Sequence, residues 1–232
     1  LANKFQEWKR REECQRMEER SFTEELERAQ RELASRDPIL CDLIRQYGPC
    51  DLRPHRDYFG ALVRSILSQQ LSTRAAATIH QRFLVHYGGP AGLSPATILA
   101  TPVDLLRASG ISARKIGYLR DLAWRVADGR LDLDDLPRLP DDGVIAQLLT
   151  VSGIGVWTAQ MLLIFTLGRL DILPHGDLGI RKAIQRRYGV ADSAASLPGA
   201  VEVDAIAQRF GWAPYRSVVA WYLWRSLENS PS

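Results

Sequence analysis

Leu148–Lys182 reads LLTVSGIGVWTAQMLLIFTLGRLDILPHGDLGIRK: a tight Gly-Ile-Gly hairpin, an apolar helix, a loop, and an aspartate that opens a second, basic helix. Gly153 and Gly155 permit positive φ and leave amides unshielded, so the hairpin can present N–H groups to a phosphate where the next helix starts. On the opposite side, the backbone carbonyls of Leu149, Val151 and Ile154 form a candidate site for a monovalent cation, Na+ or K+. A plain Gly-closed turn with Ile154 in the core fits the same residues. Asp177 follows His175-Gly176, and an aspartate at a helix start is first of all a cap for orphan amides. The helix dipole and those amides also favour its charge. A carboxylate held this way can stabilise a positively charged sugar or orient a water that attacks it. Spacing alone leaves both roles open, as it does for His175, either a general base or an incidental loop histidine.

Outward from this stretch the punctuation is helical almost throughout. Asp37-Pro38 opens a helix that Gly48 closes. An amphipathic segment covers 57–68, Gln69-Gln70-Leu71 interrupts it, and Ser72 starts a helix that runs to Tyr87. Thr101-Pro102 opens a short helix ended by Gly110, and Ser112 opens another ended by Gly129. Later helices are expected after Asp177, from Ala200 to Phe210, and from Tyr215 to Leu227. No period-two strand and no internal repeat is present, so the fold class is all-α. Residues 1–36 are dense in Glu and Arg, and Ser21 with Glu24 has the spacing of a capping box that would start a second helix. The expected division is a charged helical extension over 1–36 and a helical core over 37–232. Leu131–Pro140 is a proline-marked connector and a candidate boundary between lobes.

The 232 residues carry a net charge of +3, with 46% hydrophobic and 25% charged residues, as in an ordinary globular protein. A sequence pI near 8.9 favours a polyanionic partner only weakly. Cys14, Cys41 and Cys50 fall in no metal-ligand spacing, which argues against zinc or an iron–sulfur cluster and for idle thiols in a reducing compartment. No apolar run reaches membrane-spanning length. A cytoplasmic protein is expected, nucleoid-associated in a bacterium.

Two further features bear on chemistry. Leu67–Ser72 places polar amides beside a leucine between two helices. It is an ordinary corner, or one whose exposed Gln or Leu can push into a duplex to fill the gap left by an extruded base. Trp212, Tyr215, Trp221, Tyr222 and Trp224 cluster late in the chain. Core packing explains most helical tryptophans, and base stacking would need one or two exposed. Arg181, Lys182, Arg186 and Arg187 make a basic helix end, suited to solvent or to phosphate.

Together, SILSQQLS at 65–72, GISARKIGYLRDLA at 110–123, LLTVSGIGVWTAQ at 148–160, PHGDLGI at 174–180 and PYRSVVAWYLW at 214–224 resemble the helix-hairpin-helix DNA glycosylases with a Gly/Pro-rich loop and catalytic Asp. Within that superfamily the chain is similar to the alkylpurine branch, the 3-methyladenine DNA glycosylase II type, over roughly Asp37 to Leu227. The resemblance implies two interleaved helical lobes with a cleft between them, and Asp177 as the catalytic carboxylate. It implies DNA contact by Gly153, Ile154 and Gly155, and duplex insertion by Gln70 with Gln69 and Leu71 beside it. Trp157 stands where lyase-competent relatives such as endonuclease III carry a lysine, so a monofunctional enzyme is expected. Those relatives also hold a four-cysteine cluster, and no cysteine follows Cys50 here. Trp157 and Trp224 match the aromatic residues of the base pocket. Met161 and Leu178 occupy positions where some relatives have aromatics, which makes the pocket less aromatic. The better-known bacterial relatives carry an extra N-terminal α/β domain, where this chain has a helical charge pattern.

The implied function is excision of alkylated purines, of the 3-methyladenine and 7-methylguanine class, from damaged double-stranded DNA in base excision repair. The enzyme would act as a monomer with no required cofactor. A glycosylase for deaminated or oxidised bases, and a non-catalytic helix-hairpin-helix DNA-binding protein, are the alternatives.

Overall fold

The computed structural model describes residues 2–190 and 196–228. As the sequence leads one to expect, the described residues are helical and contain no strand. In order the helices are α1 (Ala2–Arg36), α2 (Pro38–Tyr47), α3 (Tyr58–Ser68), α4 (Thr73–Val85), α5 (Pro95–Ala100), α6 (Val103–Ala108), α7 (Ala113–Ala127), α8 (Asp141–Leu148), α9 (Val156–Phe165), α10 (Leu178–Tyr188), α11 (Ala200–Arg209) and α12 (Arg216–Glu228). No described helix is long and apolar enough to cross a membrane. Side chains set several of the helix starts: Asp57, Ser72, Ser112 and Asp177 each accept an amide from the first turn of α3, α4, α7 and α10. Each satisfies an N–H with no partner inside its helix.

The chain divides into two compact units, one from Leu1–Arg53 with Arg169–Ser232 and one from Pro54–Gly168. Unit 1 is organised around Asp37, which is fully buried. Its Oδ1 accepts the amides of Ile39 at 2.9 Å and Leu40 at 3.2 Å, which caps α2. Its Oδ2 accepts the Tyr188 hydroxyl at 2.7 Å and the Trp212 indole N–H at 2.9 Å. Four donors offset the cost of burying a charge, and they tie the starts and ends of distant segments to one point. Burial, with the Asp37 charge beside it, raises the Tyr188 pKa, so Tyr188 stays the donor. A second buried junction joins Gln30, whose Oε1 accepts the Cys50 amide at 3.0 Å, to the Tyr222 hydroxyl at 2.6 Å. Burial pushes the Cys50 thiol up to about 12, in keeping with an idle thiol. The side chain of Cys14 lies outside the described residues.

Three expectations about organisation are corrected. Ser21 and Glu24 do not start a helix, because α1 is unbroken from Ala2 to Arg36. Ion pairs at i,i+4, such as Arg20–Glu24 at 3.1 Å and Arg36–Glu32 at 2.7 Å, favour continuity there. Nor does the core begin at Asp37: Leu26, Ala29 and Leu33 are buried in unit 1, so the last third of α1 is part of its packing. Leu131–Pro140 is not a boundary either, since it lies within unit 2 with Leu131, Leu133 and Leu136 buried. Pro137 lies in a short 3-10 turn and Pro140 stands at the start of α8.

Asp37→Ala leaves two amides, a phenol and an indole without their acceptor, and is expected to cost about 3 kcal/mol or more of unfolding free energy in urea. Tyr188→Phe, which removes one charge-assisted bond, is expected to cost about 1.5–3 kcal/mol.

Candidate functional site

The hairpin between α8 and α9 belongs to unit 2, and α7 holds it from below. Ile154 N–H donates to the Val151 carbonyl at 3.1 Å, which closes the turn. The Val151 and Ile154 side chains are buried, so Ile154 can meet a ligand only through its backbone. Gly153 sits at φ +81, and a Cβ there would overlap the Tyr118 ring of α7. Glycine is therefore required twice at this position, by conformation and by space. Gly155 differs: it has an extended backbone, nothing lies within 4 Å of where its Cβ would be, and it opens α9 with no side-chain cap. An uncapped helix start behind an open glycine is the geometry that accepts a phosphate.

Asp121 of α7 fixes the other arm of the turn. Its Oδ2 accepts the Ser152 amide at 2.7 Å, and its Oδ1 pairs with Arg125 at 3.0 Å. Burial opposes its charge, but the Ser152 amide and hydroxyl and the Arg125 guanidinium outweigh it and lower its pKa. Tyr118 and Asp121 lie in the quoted GISARKIGYLRDLA stretch, yet sequence reading gave them no role. Their i,i+3 spacing marks a shared helix face, and only the tertiary contact shows what that face supports.

The Gln69–Leu71 corner also lies in unit 2. Gln70 is exposed at φ +57, a left-handed conformation that costs a non-glycine residue about 1–2 kcal/mol. Leu71 beside it is 38% exposed. Gln69 has a structural duty as well: its Nε2 donates one bond to the Gly153 carbonyl at 2.8 Å, binding the corner to the hairpin. Gln70 and Leu71 are the more exposed members of the trio.

Of the residues expected around a base, Trp157 and Met161 stand one turn apart on α9. Trp157 is 48% exposed. Met161 lines a groove of about 210 Å3 whose other walls include His55, Ser65, Ser68, Thr158 and Phe165. That is below the usual range of about 300–1,000 Å3 for small-molecule sites. The hydroxyl groups of Ser65 and Ser68 were not anticipated from sequence.

Asp177, Leu178 and Trp224 belong to unit 1. Asp177 caps α10, its Oδ1 accepting the Ile180 amide at 2.9 Å. The same oxygen accepts the Trp224 indole N–H at 2.9 Å. A Cβ at Gly179 would lie 3.0 Å from both Asp177 Oδ1 and Trp224 Cδ1, so glycine there lets the two side chains meet. Trp224 is half-buried, with its polar edge engaged by the carboxylate, and Leu178 is 54% exposed. Elsewhere in the aromatic cluster, Trp212, Tyr215 and Tyr222 are core residues.

His175 Nδ1 faces Asp204 of α11 at 3.7 Å. Arg181 is engaged within the protein, donating to the Pro198 and Leu197 carbonyls at 2.7 and 3.2 Å, while Lys182 and Arg186 are exposed. Arg187 likewise donates to the Ser226 carbonyl at 3.4 Å, so part of the basic helix end is structural.

Gly153→Ala is expected to abolish binding to duplex DNA in a mobility-shift assay, while Gly155→Ala folds normally and weakens binding at all sequences alike. The folded pKa of Asp121 lies below its unfolded value, so its contribution is complete above the ordinary carboxylate range and is lost as pH falls through the lower value. Urea unfolding from about pH 6 to about pH 3 should therefore fall less steeply in Asp121→Asn than in the unaltered protein.

Similarity to known proteins gives the chain a family. DNA-3-methyladenine glycosylase 1 of Schizosaccharomyces pombe is 32% identical over 188 residues, covering 81% of this chain and 80% of that protein. A Bacillus subtilis protein provisionally named as a DNA-3-methyladenine glycosylase is 34% identical over 175 residues, 73% of this chain; the match spans 59% of that longer relative. Among solved structures, the S. pombe 3-methyladenine DNA glycosylase Mag1 in complex with abasic DNA superposes with a TM-score of 0.73 at 31% identity. The superposition covers 88% of this chain and 98% of that one. The profile of the HhH-GPD superfamily of base excision DNA repair proteins matches residues 63–210. This chain belongs to the HhH-GPD superfamily of base excision DNA repair proteins.

Proposed function

We propose that this chain is a monofunctional DNA glycosylase that flips alkylated purines out of duplex DNA and hydrolyses their N-glycosidic bonds. The observation that carries this reading is the Asp177 carboxylate, held by the Ile180 amide and the Trp224 indole N–H and only half-buried. A cap needs the first bond alone. The second fixes the rotation of the carboxylate, which matters for a group that must face a reacting carbon.

The chemistry asks little of the protein beyond that charge. A purine alkylated at N3 or N7 is cationic and leaves without further protonation. As the bond from C1′ to the base nitrogen breaks, both electrons go to the base, and positive charge develops on the sugar. Asp177 stabilises that charge and aligns a water, whose oxygen bonds to C1′ as its proton is released. The products are a neutral free base and an abasic site. Trp157 offers a half-exposed ring on which a cationic purine would gain about 0.5–2 kcal/mol of cation–π attraction. Trp224 keeps its N–H on the carboxylate and has only its ring face to offer a base. Trp157 also lacks the amine that strand cleavage through a Schiff base would need.

The hairpin grips phosphate through the amides of Gly153 and Gly155, with Ile154 between them closing the turn through its own N–H. Leu149, Val151 and Ile154 fit a monovalent cation, because carbonyl oxygens of one tight turn are hard donors. The Ile154 amide already fixes the Val151 carbonyl. Such an ion would stiffen the turn and supply positive charge near the phosphate, and the enzyme needs no other cofactor. It acts as a monomer on damaged double-stranded DNA.

The test is release of free base from duplexes carrying 3-methyladenine, 7-methylguanine, hypoxanthine or 1,N6-ethenoadenine. At least one methylated purine is released, and strands break only after alkali. Asp177→Asn binds the same duplex but loses about a hundredfold or more in single-turnover rate. Equal excision by the Asn variant removes the assignment of the carboxylate. Release confined to hypoxanthine moves the substrate class to deaminated bases.

A further inference from the structure

Lys115 of α7 is half-buried, and its Nζ donates to the Leu67 carbonyl at 2.6 Å. No carboxylate among the described residues lies within ion-pair distance of it. Leu67 is in the last turn of α3, where carbonyls lack intrahelical partners and the helix dipole is negative. The ammonium is therefore spent on the end of the helix that leads into Gln69–Leu71. Gln69 is tethered from the other side through its bond to the Gly153 carbonyl, and Gln70, the residue that follows both anchored positions, has φ +57. Tyr118 and Asp121 stand one and two turns along α7 from Lys115 and hold the hairpin. One face of α7 thus carries the supports of both DNA-facing elements of unit 2.

We infer that Lys115 is a positioning residue: it fixes the Gln70–Leu71 corner relative to the phosphate-gripping hairpin, so that the corner enters the duplex when the hairpin is seated. This rests on the proposed function above, and it assigns a role that excision chemistry does not require. An anchored corner fills the gap left by an extruded nucleotide and slows its return. Its value is therefore greatest where the lesion is paired and re-stacks readily, and least where the opposite base is missing. Lys115 touches neither the flipped base nor the sugar in this scheme.

The experiment compares the unaltered protein with Lys115→Met, Lys115→Arg and Gln69→Leu, the last cutting the tether from the other side. Single-turnover release of 7-methylguanine is measured opposite cytosine and opposite an abasic-site analogue. Lys115→Met is expected to lose about tenfold or more at the paired lesion and less than about threefold opposite the abasic analogue, with Lys115→Arg recovering most of the loss. Gln69→Leu follows the same pattern. Equal losses on both substrates, as general destabilisation would give, overturn the inference, and so does an unchanged rate at the paired lesion.

A second arm needs no turnover. A duplex carrying an abasic-site analogue with 2-aminopurine opposite it is saturated with each protein, and emission reports entry of the corner. The change should fall to less than about half in Lys115→Met; an undiminished change overturns the inference. If the unaltered protein releases no base from any substrate, the reading of function fails, and this arm still decides the role of Lys115.

Discussion

One carboxylate oxygen, Asp177 Oδ1, receives both the Ile180 amide and the Trp224 indole N–H. That double acceptance constrains much of unit 1. It fixes where α10 begins, requires α12 to bring Trp224 to the start of α10, and requires a residue without a side chain at Gly179. A carboxylate free to rotate loses entropy each time it faces a substrate, and two bonds to one oxygen remove that loss in advance. The same bonds give the residue a structural duty, so stability and reactivity depend on one group.

Unit 2 solves a different problem, how to expose bare backbone without letting it collapse. The hairpin needs amides open to an anion, yet its own turn is closed by a single Ile154–Val151 bond. Support comes from α7, where Tyr118 underlies Gly153 and Asp121 takes the Ser152 amide. Ile154 and Val151 pin the turn with buried side chains and leave the polar surface to the backbone. The binding element is thereby rigid because of residues that never reach the ligand.

Burial of polar groups follows the same economy throughout. Asp37, Gln30 and Tyr222 lie in the core of unit 1, and each is matched by donors or acceptors from segments far apart in sequence. Such junctions add specificity, since an alternative packing would strand several polar groups at once. They also explain why α1 cannot be treated as an appendage: Gln30 and its apolar neighbours form one wall of that core.

Much of this was legible from residue order alone. Helix starts at Asp37, Ser72, Ser112 and Asp177, the Gly-Ile-Gly hairpin and the all-α class follow from local chemistry, because capping and positive φ involve residues within one turn of each other. The family resemblance drew on the same short motifs. Distance along the chain hid the rest. Gln69 reads only as a DNA contact, and nothing local shows its bond to Gly153, 84 residues away. Trp224 reads only as a stacking surface, and nothing local shows that its N–H also holds Asp177, 47 residues earlier. Ser21–Glu24 has the pattern of a helix start, and Leu131–Pro140 that of a linker. At 21–24 the ion pairs along α1 override that signal, and at 131–140 the buried leucines do. Sequence determines which backbone groups and charges each short stretch can offer; only folding decides which of them are spent on one another and which are left facing a ligand.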